Sequence, residues 1–272
     1  METKPKLTLA CSVTESHLKE FLLLKFSAEL FHECEWFLSC DCFCYEFFKK
    51  EQYNNCLCQN LDLQNGKVFG NEQEISNFYG VIDGKFRAVE AGIKARAGCL
   101  LVDSDIIFTA PFIGSTNIYN ADAVLSPHYQ WNSEMDKAWG FYNVGFVYIW
   151  SLDFLKAWEE ETKNGRHQFE QVPIEVVART EKFRLTIFPI GENMGWWRFN
   201  NEFSKHRFLS FGNIGDCILF DGNQVGSFHF HTFVPCRHSE KFKQYIFMIF
   251  AHTESGRKIL GEYNRLKSWS AH

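Results

Sequence analysis

Gly98-Cys-Leu-Leu-Val-Asp-Ser-Asp-Ile-Ile-Phe-Thr-Ala-Pro-Phe112 is the stretch on which the reading of this chain turns. An apolar run, Cys99 to Val102, ends on two carboxylates one residue apart, Asp103 and Asp105. A second apolar run, Ile106 to Phe108, follows at once. Carboxylates set among hydrophobic residues repel each other and lose water together, so they need a positive partner. A divalent cation is the usual one. Hard oxygen ligands suit Mg2+ or Mn2+, which keep open positions for a substrate's phosphates. The stretch therefore reads as a strand that delivers a metal and a diphosphate to its carboxyl end, with Ser104 between the ligands. A solvated turn after a strand would carry the same residues, and this stretch alone leaves both readings open.

Composition narrows the class. A chain of 272 residues is long enough to bury a substantial α/β core. Hydrophobic residues make up 46% and aromatics 17%, with 29 Phe, so the chain folds rather than staying disordered. A net charge of −5 offers no electrostatic case for a nucleic-acid partner. Of ten cysteines, Cys40, Cys42 and Cys44 alternate, as do Cys56 and Cys58. Zinc pairs are usually spaced by about two to four residues, so this pattern fits better as strand residues sharing one core-facing side. Met1 to Lys6 is polar, with no secretory signal, and no run approaches the roughly 20 apolar residues of a membrane span. The expectation is a reducing, cytoplasmic setting with thiols and no membrane span.

Outward from the Asp-x-Asp stretch, strands and helices alternate. Leu7 to Val13 reads as a first strand, with Thr14 or Ser16 capping a helix from about His17 to Phe31. Trp36 to Cys40 reads as a strand, Glu72 to Phe78 as a short helix and Asp83 to Ala97 as another, since Phe86, Val89, Ile93 and Ala97 recur at helical spacing. Further on, Ala123 to Leu125, Phe141 to Trp150, Thr186 to Phe188, Cys217 to Phe220 and Val225 to His231 read as strands. Leu152 to Glu161, Phe169 to Ala178 and Lys241 to Leu266 read as helices. The pattern predicts an α/β fold with a mixed, mainly parallel sheet flanked by helices, whose ligands sit beyond the carboxyl ends of the strands. With no clear boundary, the expectation is one domain over 1–272. Its first half, 1–112, would bind the nucleotide. The second, 113–272, would bind the acceptor and end in the C-terminal helix.

Five segments, in order, resemble GT-A-type glycosyltransferases, in particular the glycogenin-like and nucleotide-diphospho-sugar transferase groups. They are Thr8-Leu-Ala-Cys-Ser-Val-Thr14; the basic helix bearing Lys85 and Arg87; the Asp-x-Asp stretch with its Pro111-Phe112 flank; Phe141-Tyr-Asn-Val-Gly-Phe-Val-Tyr-Ile-Trp150 with Phe169-Glu-Gln-Val-Pro-Ile174 downstream; and Gly226-Ser-Phe-His-Phe-His-Thr-Phe233. The resemblance spans roughly residues 7 to 235 and implies a Rossmann-like GT-A fold. It also implies a UDP- or GDP-sugar donor and a glycan or other hydroxyl acceptor.

Roles follow from the resemblance position by position. Ser12, Val13 and Thr14 would meet the nucleobase and ribose. Lys85 and Arg87 would reach the sugar or diphosphate. Asn143 would offer its amide to sugar hydroxyls, and Gly145 would let the backbone approach the donor. Glu170 and Gln171 match the family's Asp-Gln pair, with the Asp lengthened to Glu. Asp103, Asp105 and one of His229 and His231 would hold Mn2+ or Mg2+. Which His does so stays open, because alternate strand residues face the same way. The family's Lys-Pro-Trp after this His is absent, and Arg237 or Lys241 stands in for its phosphate-binding lysine. Trp196 and Trp197, among a group that includes Trp131 and Trp139, form a candidate platform for an acceptor sugar. Retention of configuration is implied. An inverting course would need a carboxylate base, for which Glu170 and Asp136 are the candidates. A nucleotidyltransferase is the neighbouring enzyme reading, but the Gly-rich basic loop it usually places after the first strand is missing. A non-catalytic sugar-binding module is the third reading, and a bare nuclease-like metal site the fourth.

Overall fold

The computed structural model describes residues 4–58, 72–112, 120–128, 140–164, 170–199, 211–237 and 239–270, with backbone alone over 72–79. In chain order the elements are β1 (Lys6–Val13), α1 (Leu18–Phe31), β2 (Glu33–Cys40), α2 (Cys42–Lys50), β3 (Cys56–Cys58), α3 (Glu72–Arg96), β4 (Cys99–Val102), β5 (Ile106–Phe108), β6 (Ala123–Pro127), β7 (Tyr142–Ile149), α4 (Leu152–Asn164), α5 (Gln171–Ala178), β8 (Leu185–Ile187), β9 (Met194–Gly195), β10 (Phe211–Ile214), β11 (Cys217–Phe220), β12 (Asn223–Gln224), β13 (Ser227–His229), α6 (Glu240–Phe250) and α7 (Glu254–Ser268).

Seven strands make the central sheet, in the order β3-β2-β1-β4-β7-β6-β8. Only β7 among them runs against the rest; β1 pairs in parallel with β2 and β4, and β6 with β8. The expected mixed, mainly parallel sheet flanked by helices is what the chain forms. A second sheet, β5-β13-β9, and a hairpin sheet, β10-β11-β12, complete the strands.

Side-chain alternation explains the layering. Leu100 and Val102 of β4, with Leu9, Cys11 and Val13 of β1, pack on Phe21 and Leu24 of α1 and Phe48 of α2. Cys99 and Leu101, with Ala10, pack on the opposite side against Phe86, Val89 and Ile93 of α3 and Trp158 of α4. Both faces of the sheet are thus covered, and β4 is apolar at every position because it has no solvent side. Gly92 makes the close approach of α3 possible: a Cβ there would lie 2.6 Å from the Cys99 sulfur. A third core joins Ile107 of β5 and Phe228 of β13 to Phe242, Ile246 and Phe250 of α6 and Ile259 and Leu266 of α7.

Several expectations are corrected. The Cys40-Cys42-Cys44 run is not one strand. β2 ends at Cys40, and the Asp41 carboxylate accepts from the Cys44 amide at 2.8 Å, capping α2. Cys44 is buried in the core, whereas Cys42 and Cys58 are exposed. The two helices expected over 72–97 are one helix of 25 residues. The single C-terminal helix is two, because the Thr253 hydroxyl accepts from the Gly256 amide and starts α7 afresh. The last strand stops at His229 rather than His231. Among the described residues no helix is long and apolar enough to cross a membrane.

One buried carboxylate ties the far end of the chain to the first helix. Glu20 of α1 accepts hydrogen bonds from three successive amides, Thr232 at 2.8 Å, Phe233 at 2.8 Å and Val234 at 3.0 Å, and from the Thr232 hydroxyl. Removing it strands those donors away from water. Glu20→Ala should therefore lower unfolding free energy by about 3 kcal/mol, read from urea denaturation.

Candidate active site

The two carboxylates lie at a corner between sheets. β4 belongs to the central sheet and β5 to the second, so the chain turns through Asp103-Ser104-Asp105 as it passes from one to the other. Antiparallel β7 brings its early residues alongside: the Asp103 amide donates to the Gly145 carbonyl at 2.9 Å. β13 pairs His229 with Ile106 at the start of β5, and the Phe230 amide donates to the Asp105 carbonyl at 3.1 Å. Three segments far apart in sequence thus converge at the carboxyl end of β4.

Their side chains form one charged cluster. His229 Nε2 lies 3.1 Å from Asp105 Oδ1 and 3.8 Å from Asp103 Oδ2. One ligand atom from each of Asp103, Asp105 and His229 falls within 4.8 Å of the others, the only such group of His, Cys, Asp or Glu among the described residues. His231, past the strand end, sets Nδ1 3.1 Å from the other Asp105 oxygen, without hydrogen-bond geometry. Lys85 of α3 bridges Asp103 at 2.8 Å and Glu170 at 2.9 Å. Gly145 leaves the room these groups occupy: a Cβ there would lie 2.7 Å from both Asp103 Cγ and His229 Cε1.

The charges hold one another. Burial pushes the Asp105 carboxyl upward, but His229, His231 and His17 outweigh it and keep it well below the ordinary carboxylate range. Burial pulls the His229 imidazole down, yet Asp105 and Asp103 raise it above its usual value. Burial likewise opposes the Lys85 ammonium, and Asp103 and Glu170 overcome that to hold it firmly charged.

Behind the cluster runs a buried polar network that sequence reasoning missed. His229 Nδ1 donates to Asn193 Oδ1 at 3.2 Å, which leaves Nε2 facing the carboxylates. The Asn193 amide donates to Ser126 Oγ at 2.9 Å and to Asn143 Oδ1 at 3.0 Å. Asn143 Oδ1 also accepts from the Gly145 amide, and Asn143 Nδ2 donates to His128 Nε2 at 3.3 Å. His128 Nδ1 in turn donates to the Gly140 carbonyl at 2.9 Å. A second-layer partner of this kind fixes the tautomer and orientation of a histidine ligand.

Not every residue singled out from sequence reaches this place. Asp103, Ser104, Asp105, Lys85, Gly145, Glu170 and His229 do. Arg87 does not: two residues from Lys85 on a helix is about 200° around it, and the Arg87 guanidinium pairs instead with Glu159 at 3.0 Å, Asp83 and Glu90. Asn143 is turned inward, its amide engaged by His128, Asn193 and Gly145 rather than held out to a sugar. Gln171 opens α5 with its Oε1 buried and without a hydrogen-bond partner among the described residues. Ser12, Val13 and Thr14 lie at the carboxyl end of β1, beside β4, with the Val13 side chain in the core. Trp197 is half-buried, donating from Nε1 to the His128 carbonyl at 3.0 Å, with its ring edge-on to His229 at 4.9 Å between centroids. Trp196 packs edge-on against Trp197. Trp131, Asp136, Trp139 and Phe169 lie outside the described residues.

The same arrangement of sheet and helices occurs in solved structures. The chain is similar to the apo form of the glycosyltransferase GlyE of Streptococcus pneumoniae TIGR4, with a TM-score of 0.50 at 13% identity, over 96% of this chain and 64% of that one. It is also similar to the bifunctional glycosyltransferase WbbM, with a TM-score of 0.50 at 10% identity, over 96% of this chain and 51% of that one. This is a glycosyltransferase fold. The chain spans less than two thirds of the length of either protein. Its sequence matches no family model and no curated protein, so at these identities the likeness to glycosyltransferases is one of fold. The Asp103, Asp105 and His229 cluster sits where such α/β folds bind ligands, beyond the carboxyl ends of the strands.

His128 makes the site acid-sensitive. Burial drops its pKa from 6.5 to about 4. The unfolded chain therefore binds the extra proton between those values, and stability is full above about pH 6.5 and falls as pH drops toward 4. Between pH 7.5 and 5 this histidine alone should remove about 2 kcal/mol. Urea denaturation at the two pH values should show that slope in the wild type and a shallower one in His128→Gln.

Proposed function

We propose that this chain transfers a sugar from a nucleotide-diphosphate sugar to a hydroxyl acceptor, with a glycan the favoured acceptor. The observation that carries the reading is the meeting of half-buried Asp103 with buried Asp105 and His229 at the carboxyl end of β4 within a glycosyltransferase fold. Two carboxylates and an imidazole, which gives up its Nε2 proton when it binds a cation, are a donor set suited to Mn2+ or Mg2+. The fit is supported by His229, whose Nδ1 is already committed to Asn193 and whose Nε2 is turned to both carboxylates. The cation would neutralise charge growing on the departing diphosphate.

The rest is done by the chain's own groups. Lys85, held charged between Asp103 and Glu170, is poised to meet the donor's phosphate or sugar oxygens once those carboxylates are otherwise engaged. The ends of β1, at Ser12 to Thr14, would take the nucleoside. Gln171, whose buried Oε1 lacks a partner, would accept from a sugar hydroxyl. Trp197, edge-on to His229, would give the sugar ring an apolar wall, with Trp196 beside it. We favour retention of configuration. Glu170 is ion-paired to Lys85 at 2.9 Å, and in a retaining course the leaving phosphate takes the acceptor's proton.

Titration calorimetry with UDP, GDP, CDP, ADP and dTDP, with and without Mn2+, tests this. One diphosphate should bind only with the metal present, and Asp105→Ala should abolish that binding. If no nucleotide binds under any metal condition, the donor site is misassigned. Asn193→Ala should weaken Mn2+ by about 10- to 100-fold while leaving the fold intact by circular dichroism, because it frees the His229 ring to turn. Unchanged Mn2+ affinity would show that Asn193 does not hold the His229 ring for the metal.

A further inference from the structure

A second reactive cluster lies at the edge of the central sheet, in the cysteine run that the donor site leaves unused. β3 pairs in parallel with β2, and Cys58 stands opposite Cys40 in that register. The chain turns at Asp41 immediately after Cys40 and enters α2 at Cys42, so the turn brings Cys42 beside the end of β3. The Cys42 and Cys58 sulfurs are 3.7 Å apart, and both residues are exposed. The other members of the run are placed differently: Cys40 and Cys44 are buried, and Cys56 is only partly open. Among the described residues no third His, Cys, Asp or Glu joins this pair at ligand spacing.

Two accessible thiols in contact, 16 residues apart in sequence, have the arrangement from which thiol–disulfide exchange closes a bond of about 2.05 Å. We propose that Cys42 and Cys58 are an oxidative modification site that forms an intramolecular disulfide at the expense of a small-molecule disulfide such as oxidised glutathione. One protein thiolate attacks a sulfur of the small disulfide, whose S–S bond breaks and releases the first small thiol. The second protein thiolate then attacks the sulfur now carrying the adduct and expels the second small thiol. Two protein thiols are oxidised, one small disulfide is reduced to two thiols, and their two protons pass to those products. The bond staples the first residue of α2 to the last of β3. It lies next to Asp41, whose carboxylate also accepts from the Glu15 amide at 2.7 Å just beyond β1. The proposal does not depend on the catalytic reading.

The test is to incubate the folded protein with excess oxidised glutathione, denature it, alkylate the remaining thiols and map the peptides by mass spectrometry. Of the ten cysteines, Cys42 and Cys58 should both escape alkylation, and one linked peptide pair should join them with no glutathione left on either. Cys42→Ser should trap glutathione on Cys58 as a stable mixed disulfide, whereas Cys217→Ser, at another exposed thiol, should leave the Cys42–Cys58 bond unaffected. Ten alkylated cysteines, a persistent glutathione adduct on the wild-type pair, or a disulfide from Cys42 or Cys58 to any other cysteine of the chain would overturn the proposal.

Discussion

Asp103, half-buried, and Asp105, buried, repel each other across one corner of the fold, and much of the surrounding architecture serves to hold them there. Oxygens within 4.8 Å of one another in a partly screened interior cost on the order of 3 kcal/mol. The chain answers with positive or hydrogen-bonding groups from distant elements. Lys85 comes from α3, His229 and His231 from the end of β13, and His17 from the turn before α1. Each approaches one side of the pair, and Gly145 on β7 keeps a gap open on another. Such a cluster is costly as a structural device, since well-packed apolar residues of similar size would be at least as stable. Its persistence in a covered α/β core is what points to a ligand that takes over the balancing charge.

The positions of those balancing groups depend in turn on buried polar contacts. Asn193 orients His229, Ser126 and Asn143 orient Asn193, and His128 in turn holds Asn143. On the other side, Glu20 gathers the three amides after His231 and fixes where the chain leaves the site. The site is thus framed by two buried networks, one below His229 and one beyond His231. A fully satisfied network rigidifies what it supports, and a half-satisfied one is worse than an apolar core. Preorganised side chains of this kind are what electrostatic stabilisation of a departing diphosphate requires.

Much of the fold could be read from local pattern. The strand at 99–102 announces itself because four apolar residues stop dead at a charge, and the helix over 83–97 because its apolar residues recur at helical spacing. The two carboxylates could be picked out for the same reason, as polar residues at the end of an apolar strand, whereas the sequence left His229 and His231 open, and it is the folded chain that sets His229 Nε2 near both carboxylates. What failed was decided by single capping bonds or by distance. One carboxylate, Asp41, turns an alternating cysteine run into the start of α2, and one hydroxyl, Thr253, divides the last helix. The phase of α3 separates Lys85 from Arg87, and phase is settled by which face meets the sheet. Asn193 and Glu20 carry no motif at all. Their partners lie 36 and 212 residues away, so only the folded chain reveals what they do.

The most direct measurement of the central claim is anomalous diffraction from crystals grown with Mn2+ and the nucleoside diphosphate that binds. The account predicts one strong manganese peak coordinated by Asp103, Asp105 and His229 Nε2, with the diphosphate on its open side and Lys85 nearby. A peak elsewhere on the chain, or a diphosphate bound away from these three residues, would contradict it.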